Sequence, residues 1–301
     1  MQSSIPGSSM ADNPTLDRLA DLPGPRVSPW RIIAKNRASL IGLFVFGLLL
    51  LVAVFGGLFS PYLPEKVGVG PPMNPPGSRF LMGTDELGRD IFSRVLDGVR
   101  LSFFIGIVSA LVSTLVGVCF GAISGFFGRW VDDVLMRITE VFQTIPRFFL
   151  VMMLIAFFGS NLSNIILAIA LLSWPQLARL VRAEFLSLKS RQFVDAARTA
   201  GASTPALIFF EILPNALGPL IVNSTLLVGQ AMLQEAGLSF IGLGDPTHVS
   251  LGIMLFQAQW IMRTAWWATA FPGLFIFLAV LSINLIGDGL NDLLSPRSRE
   301  R

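Results

Sequence analysis

Charge is scarce in this chain. Of its 301 residues 14% are charged, where a soluble domain carries about 25%. With 53% hydrophobic residues and a mean hydropathy of +0.68, too few polar groups remain to cover a water-facing surface. That excludes a soluble enzyme and equally a disordered chain. Cysteine is nearly absent: Cys119 stands alone, so neither an intrachain disulfide nor a thiolate metal cluster can form, and the single His248 makes no imidazole site. The three lysines, Lys35, Lys66 and Lys189, follow Ala, Glu and Leu. None completes the G-x-x-x-x-G-K loop that cradles nucleotide phosphates. No nucleophile–base pair or metal cluster is visible, so the chain is not expected to be an enzyme.

Long apolar runs are what the sequence does have. A hydrocarbon core of about 30 Å needs roughly 20 apolar residues at about 1.5 Å of rise each. Six segments serve, at about 40–59, 101–127, 141–158, 165–181, 215–240 and 266–286. The third is broken by Pro146 and Arg147, and the turn-rich stretch 159–164 separates it from the fourth. The expectation is an all-α polytopic membrane protein, with a membrane domain over 39–290 between tails 1–38 and 291–301. Lys and Arg number fifteen in the two tails and the second–third and fourth–fifth connections, against six in the opposite loops. The richer side is cytoplasmic. Both termini are then inside, and the pI of 9.6 reflects topology, not nucleic acid. The first 25 residues, rich in Ser, Pro, Asp and Gly, are expected to be disordered. The run from Leu40 reads as a retained span, not a cleaved signal.

Two connections exceed what a hairpin needs. The external loop 60–100 opens with six prolines and ends in the charged string Gly83 to Arg94. Ile91, Phe92, Val95, Leu96 and Val99 recur at helical spacing, which predicts a short amphipathic helix along the membrane surface. It is either a lid on the bundle or a docking platform for an external partner. In the cytoplasmic loop 184–205, Phe185, Leu188, Gln192, Asp195 and Ala196 follow a short helix across the membrane axis. Ala196 and Ala197 leave a face with almost no side-chain bulk. Gly201 suits a left-handed helix end, and Pro214 suits the first turn of the next helix. Such a unit is a folding hairpin or a lever that another protein pushes.

Asp195-Ala196-Ala197, Gly201 and Leu213-Pro214 resemble, at matching spacing, the E-A-A…G…I-x-L-P string of ABC-superfamily importer permeases. Asp195 replaces Glu, and Glu211 stands where Ile is usual. The strings Gly83 to Asp90 with Ser93-Arg94 and Arg100 to Ser102, Glu235 to Gly244, and Asn284 to Leu290 are similar to further signatures of the dipeptide/oligopeptide/nickel group. Over about residues 30–296 the chain resembles the second, C-type permease of that group. The resemblance implies a type I importer permease fold with six spans, a cytoplasmic coupling helix and an external loop bearing a short helix. It implies half of a heterodimeric pore for peptides or a related small solute in a prokaryotic inner membrane. Its partners would be a second permease, two cytoplasmic ATPases, an external solute-binding protein and membrane lipid. No cofactor or metal is implied for this chain; ATP and Mg would sit on the ATPases. Arg191, Asp195, Ala196, Ala197, Arg198 and Gly201 would form the helix seated in an ATPase groove, with Arg191 and Arg198 facing acidic residues there. On the docking reading of the external loop, Asp85, Glu86, Arg89 and Asp90 would meet the binding protein.

The fifth span carries Asn223, Gln230, Gln234 and Glu235. Polar groups in hydrocarbon are costly unless paired or facing water, so these residues are candidates for the translocation path. Gly117, Gly121 and Gly125 repeat every four residues and predict close helix packing. Arg147 is expected to snorkel to the cytoplasmic edge, and His248 to have no ligand role. The rival class, an ion-coupled secondary transporter, would bury ionisable residues near the midplane and show repeats. Here Arg147 and Glu235 are the sole candidates, both near span ends, and no repeat is visible.

Overall fold

A computed structural model describes residues 37–294; the expectations for 1–36 and 295–301 lie outside the described residues. The regular structure among the described residues is helical, with one isolated bridge between Thr84 and Asp90 in the loop 60–90. In chain order the helices are α1 (Arg37–Phe59), α2 (Ile91–Phe127), α3 (Arg129–Thr144), α4 (Arg147–Phe158) and α5 (Leu162–Lys189). Then come α6 (Gln192–Thr199), α7 (Thr204–Phe240), α8 (Leu251–Ala258) and α9 (Trp267–Leu294). Five of them (α1, α2, α5, α7 and α9) are long and apolar enough to cross a membrane, six spans if the bent pair α3–α4 counts as one.

That pair departs most from the straight span expected at 141–158. Its two helices meet at 84°. The cause is local: Ile145 precedes Pro146, whose ring disfavours helical backbone on the residue before it, and Ile145 sits at φ −89°, ψ 133°. At 16 and 12 residues neither piece alone spans about 30 Å.

The amphipathic helix expected at Ile91–Val99 is not a separate surface element. It is the start of α2, which runs 37 residues without interruption, about 55 Å at 1.5 Å per residue. Ile91, Val95 and Val99 are all but sealed from solvent, and Ser93 and Arg94 are buried beside them. Arg100 looked like a boundary from its charge. A charge marks the level of a headgroup but breaks no helix, so α2 continues through it.

Further down α2, Ser109, Ser113, Gly117, Gly121 and Gly125 present one small residue per turn to α5. Ser109 Oγ donates to the Ile166 carbonyl (3.4 Å) and Ser113 Oγ to that of Ala170 (3.1 Å). A Cβ on Gly121 would lie 2.6 Å from Val181 Cβ and 3.0 Å from Arg182 N. The α5 backbone cannot yield as a side-chain tip can, so Gly121→Leu should cost at least the 1–3 kcal/mol typical of overpacking (roughly). The expected result is a lowered melting temperature of the purified protein, read by fluorescence.

The fourth span, expected to end near Val181, runs on to Lys189. Arg182 there is held by Asp132 on α3, Nε to Oδ1 and Nη2 to Oδ2 both at 2.5 Å, with Ser124 Oγ donating to the same Oδ1 at 2.5 Å. A paired charge is no reason for a helix to stop.

Candidate functional site

One end of the bundle carries α6. The helix expected from Phe185 through Ala196 is shorter: Phe185 and Leu188 belong to α5, the chain turns at Ser190–Arg191, and α6 starts at Gln192. α6 buries one residue completely, Val194. Val194 joins Phe126, Val181, Phe185, Leu207 and Ile212 in a core where Ala197 and Ala202 are partly buried partners. The two alanines therefore differ. Ala197 faces this chain's own interior, whereas Ala196 faces out with Asp195, Arg198 and Thr199. Arg198 Nη1 reaches Asp195 Oδ1 at 3.2 Å one turn back. Both side chains are exposed, so the pair contributes little. Arg191 caps the helix start and is exposed.

Gly201 has φ +86°, as its position predicts. Its N–H donates to the Arg198 carbonyl (3.1 Å) and the Ala202 N–H to that of Ala197 (3.0 Å). This is the six-to-one, five-to-two pattern that closes a helix through a left-handed residue. Ser203 then caps α7, its Oγ accepting from Ala206 N (3.4 Å). Pro214 falls, as expected, in the first turn of the α-helical stretch Leu213–Phe240, although helical backbone of the span already starts at Thr204. Residues Leu207–Ile212 form a π turn ahead of it. A wider turn fits a proline, which supplies no N–H and whose ring crowds the carbonyl four residues back. Lys189 Nζ donates to the Phe126 carbonyl and lies over its ring, tying α5 to α2 beside α6.

Along α7, Asn223, Gln230 and Gln234 share one face, since spacings of seven and four residues bring them within about 40° of each other. Gln230 is exposed, and Asn223 is half-buried with Nδ2 donating to the Pro219 carbonyl (3.0 Å). Glu235 stands about 140° round the helix from Gln230 and is turned inward, 2% exposed. Its Oε1 accepts from Ser239 Oγ (2.6 Å) and Ser250 Oγ (2.7 Å). Ser250 caps α8, accepting from Ile253 N (3.1 Å), and Gly252 packs so closely that an added Cβ would lie 2.7 Å from Ala236 Cα. Glu235 thus clamps α8 onto α7, away from the face that Gln230 shares.

At the loop end, three of the four expected docking residues are internal. Asp85 accepts from the Leu87 and Arg89 N–H groups (3.0 and 2.9 Å), from Arg89 Nε (2.6 Å) and from Arg94 Nη1 (2.6 Å). Arg89 and Arg94 also donate to Gln257 Oε1 on α8 (3.0 and 2.7 Å). Asp90 caps α2 through Ser93 N (2.8 Å). Only Glu86 of the four is exposed. Charged residues in a hydrophilic loop read as surface. Gln257, which lies 163 residues after Arg94, carries no sequence signal that would have joined it to them.

A second knot there is held by Asp245. Burial alone would raise its carboxyl, but hydrogen bonds from the Thr247 side chain and backbone, from His248 and from the Leu162 N–H hold it below its ordinary range. A carboxylate stabilised by folding contributes stability above its unfolded value, about 3.9, and loses it as pH falls through the lowered folded value. Protection of the Leu162 and Thr247 amides from exchange, corrected for intrinsic rates, should stay flat from pH 8 to about 5 and fall only below the usual carboxylate range. Asp245→Asn should lack that protection at every pH.

Comparison with known proteins adds to this geometry. Residues 117–300 match the family described as binding-protein-dependent transport system inner membrane component, and residues 27–76 match the N-terminal TM domain of oligopeptide transport permease C. The chain is 38% identical over 296 residues to the di/tripeptide transport system permease of Pseudomonas aeruginosa, covering 96% of this chain and 98% of that one. It is 38% identical over 267 residues to the oligopeptide transport system permease of Bacillus subtilis, 88% of each. Among solved structures, the inward-facing MetNI methionine ABC transporter matches with a TM-score of 0.53 at 20% identity, over 67% of this chain and 97% of that one. That last likeness concerns the fold alone.

Proposed function

This chain belongs to the family of binding-protein-dependent transport inner-membrane components, and on that footing we propose that it forms the C-type half of a heterodimeric path for peptides, delivered by an external binding protein. It is a multi-pass membrane permease of an ABC importer and not an enzyme. The observation that carries the substrate class is the 38% identity, nearly end to end, to a di/tripeptide permease. Likeness of that extent covers the loop-end knot, α6 and α7 together rather than one motif.

In this reading both termini and α6 lie in the cytoplasm, and the loops 60–90 and 241–266 lie outside. An ATPase on each permease receives α6 in a groove against its outer face of Asp195, Ala196 and Thr199. Closure of the ATPases moves α6 as a rigid body. Val194 and Ala197 pass that movement to Phe126 on α2 and to Val181 and Phe185 on α5. Because Gly201 and Ser203 leave almost no slack before α7, the helix bearing Asn223, Gln230 and Gln234 moves with it. These three, rather than Glu235, line the path.

The test is reconstitution of this chain with its second permease, the ATPases and the binding protein. The expected complex contains one copy of each permease and two ATPases, and takes up dipeptides only with ATP and the binding protein. A stable homodimer of this chain that transports on its own would overturn the heterodimer. Uptake of a solute other than peptides, with peptides excluded, would overturn the substrate class.

A further inference from the structure

A wide cleft belongs to neither the coupling helix nor the α7 face. About 1020 Å³ in volume, it opens at the loop end between the start of α2, Leu162 at the head of α5, and the loops at 63–66 and 247–249. Its rim carries two cations, Lys66 and Arg100, and two carboxylates, Glu65 and Asp97. Glu65, Lys66 and Arg100 take part in no ion pair among the described residues. Asp97 likewise forms no ion pair among the described residues. Charges of both signs are thus gathered at one opening with no direct ion pair among them. The wall beneath them is apolar, formed by Leu101, Phe104, Leu162 and Val249.

The cleft does not end at its floor. Phe104, Ile107, Leu111 and Leu115 are 49%, 43%, 57% and 58% exposed, and steps of three or four residues keep them on one side of α2. This apolar strip descends from the cleft along a helix that crosses the bilayer. Dipolar at the top and apolar for about three turns below, the surface has the polarity profile of one phospholipid. A headgroup with phosphate alone would satisfy Lys66 and Arg100 but leave Glu65 and Asp97 facing like charge. A small zwitterion such as a peptide would satisfy the rim but leave the strip uncovered.

We propose that this cleft binds a phospholipid whose headgroup carries both a phosphate and a primary ammonium. Lys66 and Arg100 take the phosphate through charge-assisted hydrogen bonds, Glu65 and Asp97 take the ammonium, and an acyl chain lies along Phe104 to Leu115. The inference goes beyond the transport reading and rests only on α2 spanning a bilayer, so failure of the peptide assignment would leave it standing.

The test is native mass spectrometry of the full transporter complex in detergent. The probes are phosphatidylethanolamine and phosphatidylglycerol with identical acyl chains, supplied in equal amounts. The wild type should retain phosphatidylethanolamine with about tenfold preference, the equivalent of about 1.4 kcal/mol. Lys66→Ala/Arg100→Ala should lose the retained lipid. Glu65→Gln/Asp97→Asn should keep a lipid but bind phosphatidylglycerol at least as well, a reversal that a misfolded protein would not give. Millimolar phosphoethanolamine or dialanine should not displace it. Equal retention of the two lipids by the wild type, or insensitivity to both double variants, would overturn the proposal. Displacement by dialanine would also overturn it, by making the cleft a peptide subsite.

Discussion

Ala196→Trp should abolish peptide uptake by the assembled transporter while the membrane bundle stays intact. Ala196 is exposed on the outer face of α6 and, among the described residues, lies outside the core that Ala197 joins. The added indole therefore meets only a docking partner, where overpacking of about 1–3 kcal/mol is enough to displace a helix that must fit a groove. Uptake and binding-protein-stimulated ATP hydrolysis should both be lost, with the melting temperature of the isolated permease unchanged. Ala197→Trp should behave differently. Ala197 packs against the core of Phe126, Val181 and Phe185, so its replacement should lower the melting temperature of the permease before any partner is added. Gly201→Val removes the residue suited to φ +86° at a cost of about 1–3 kcal/mol; no atom lies near its would-be Cβ. It should weaken coupling without clashing. Wild-type uptake by a fully assembled Ala196→Trp complex would show that α6 does not transmit the power stroke.

The second large effect is expected at the loop end, where two neighbouring acidic residues should give opposite results. Among the described residues, Asp85 is the only carboxylate in contact with two buried guanidiniums, Arg89 and Arg94. Removing one partner from a buried ion network strands the others, at about 3–5 kcal/mol. Asp85→Asn should therefore destabilise the loop and loosen α8, which is held through Gln257, and the permease should melt several degrees lower. Glu86→Lys, on an exposed residue, should leave the melting temperature within error. If the loop docks a binding protein, stimulation of ATP hydrolysis should weaken in Glu86→Lys while basal hydrolysis survives. Equal melting temperatures for Asp85→Asn and wild type would contradict the buried network.

The contrast between Asp85 and Glu86 marks where sequence reasoning runs out. Hydropathy places the apolar segments because a bilayer imposes one length on all of them, and Gly201 is legible because few residues tolerate positive φ. Burial of a charge is another matter. Asp85 and Arg89 look solvated because their neighbours in sequence are polar, while their partners in space, Arg94 and Gln257, come from two other helices. Glu235 points inward for the same reason: besides Ser239 one turn on, Ser250 at the head of α8, 15 residues further along the chain, holds its carboxylate. Arg100 and Arg182 show the converse error, charges read as helix ends where the chain continues because the charge is accommodated sideways. Pro214 shows how a π turn, invisible to any spacing rule, carries a helix through a proline.

The unbroken length of α2 has a thermodynamic consequence. The same helix is anchored at its head by Asp90 and Arg94 and at its foot by Ser124 and the Phe126 carbonyl, with no proline in its 37 residues. Two anchor points on one stiff rod cannot relax independently. Whatever factor an occupant of the loop end imposes on affinity at the foot, an occupant of the foot must impose in return, because coupling free energy between two sites has no direction. A nucleotide-locked ATPase dimer should therefore alter the dissociation constant of the binding protein by the same factor by which the binding protein alters nucleotide affinity. Both can be measured at equilibrium in the absence of turnover.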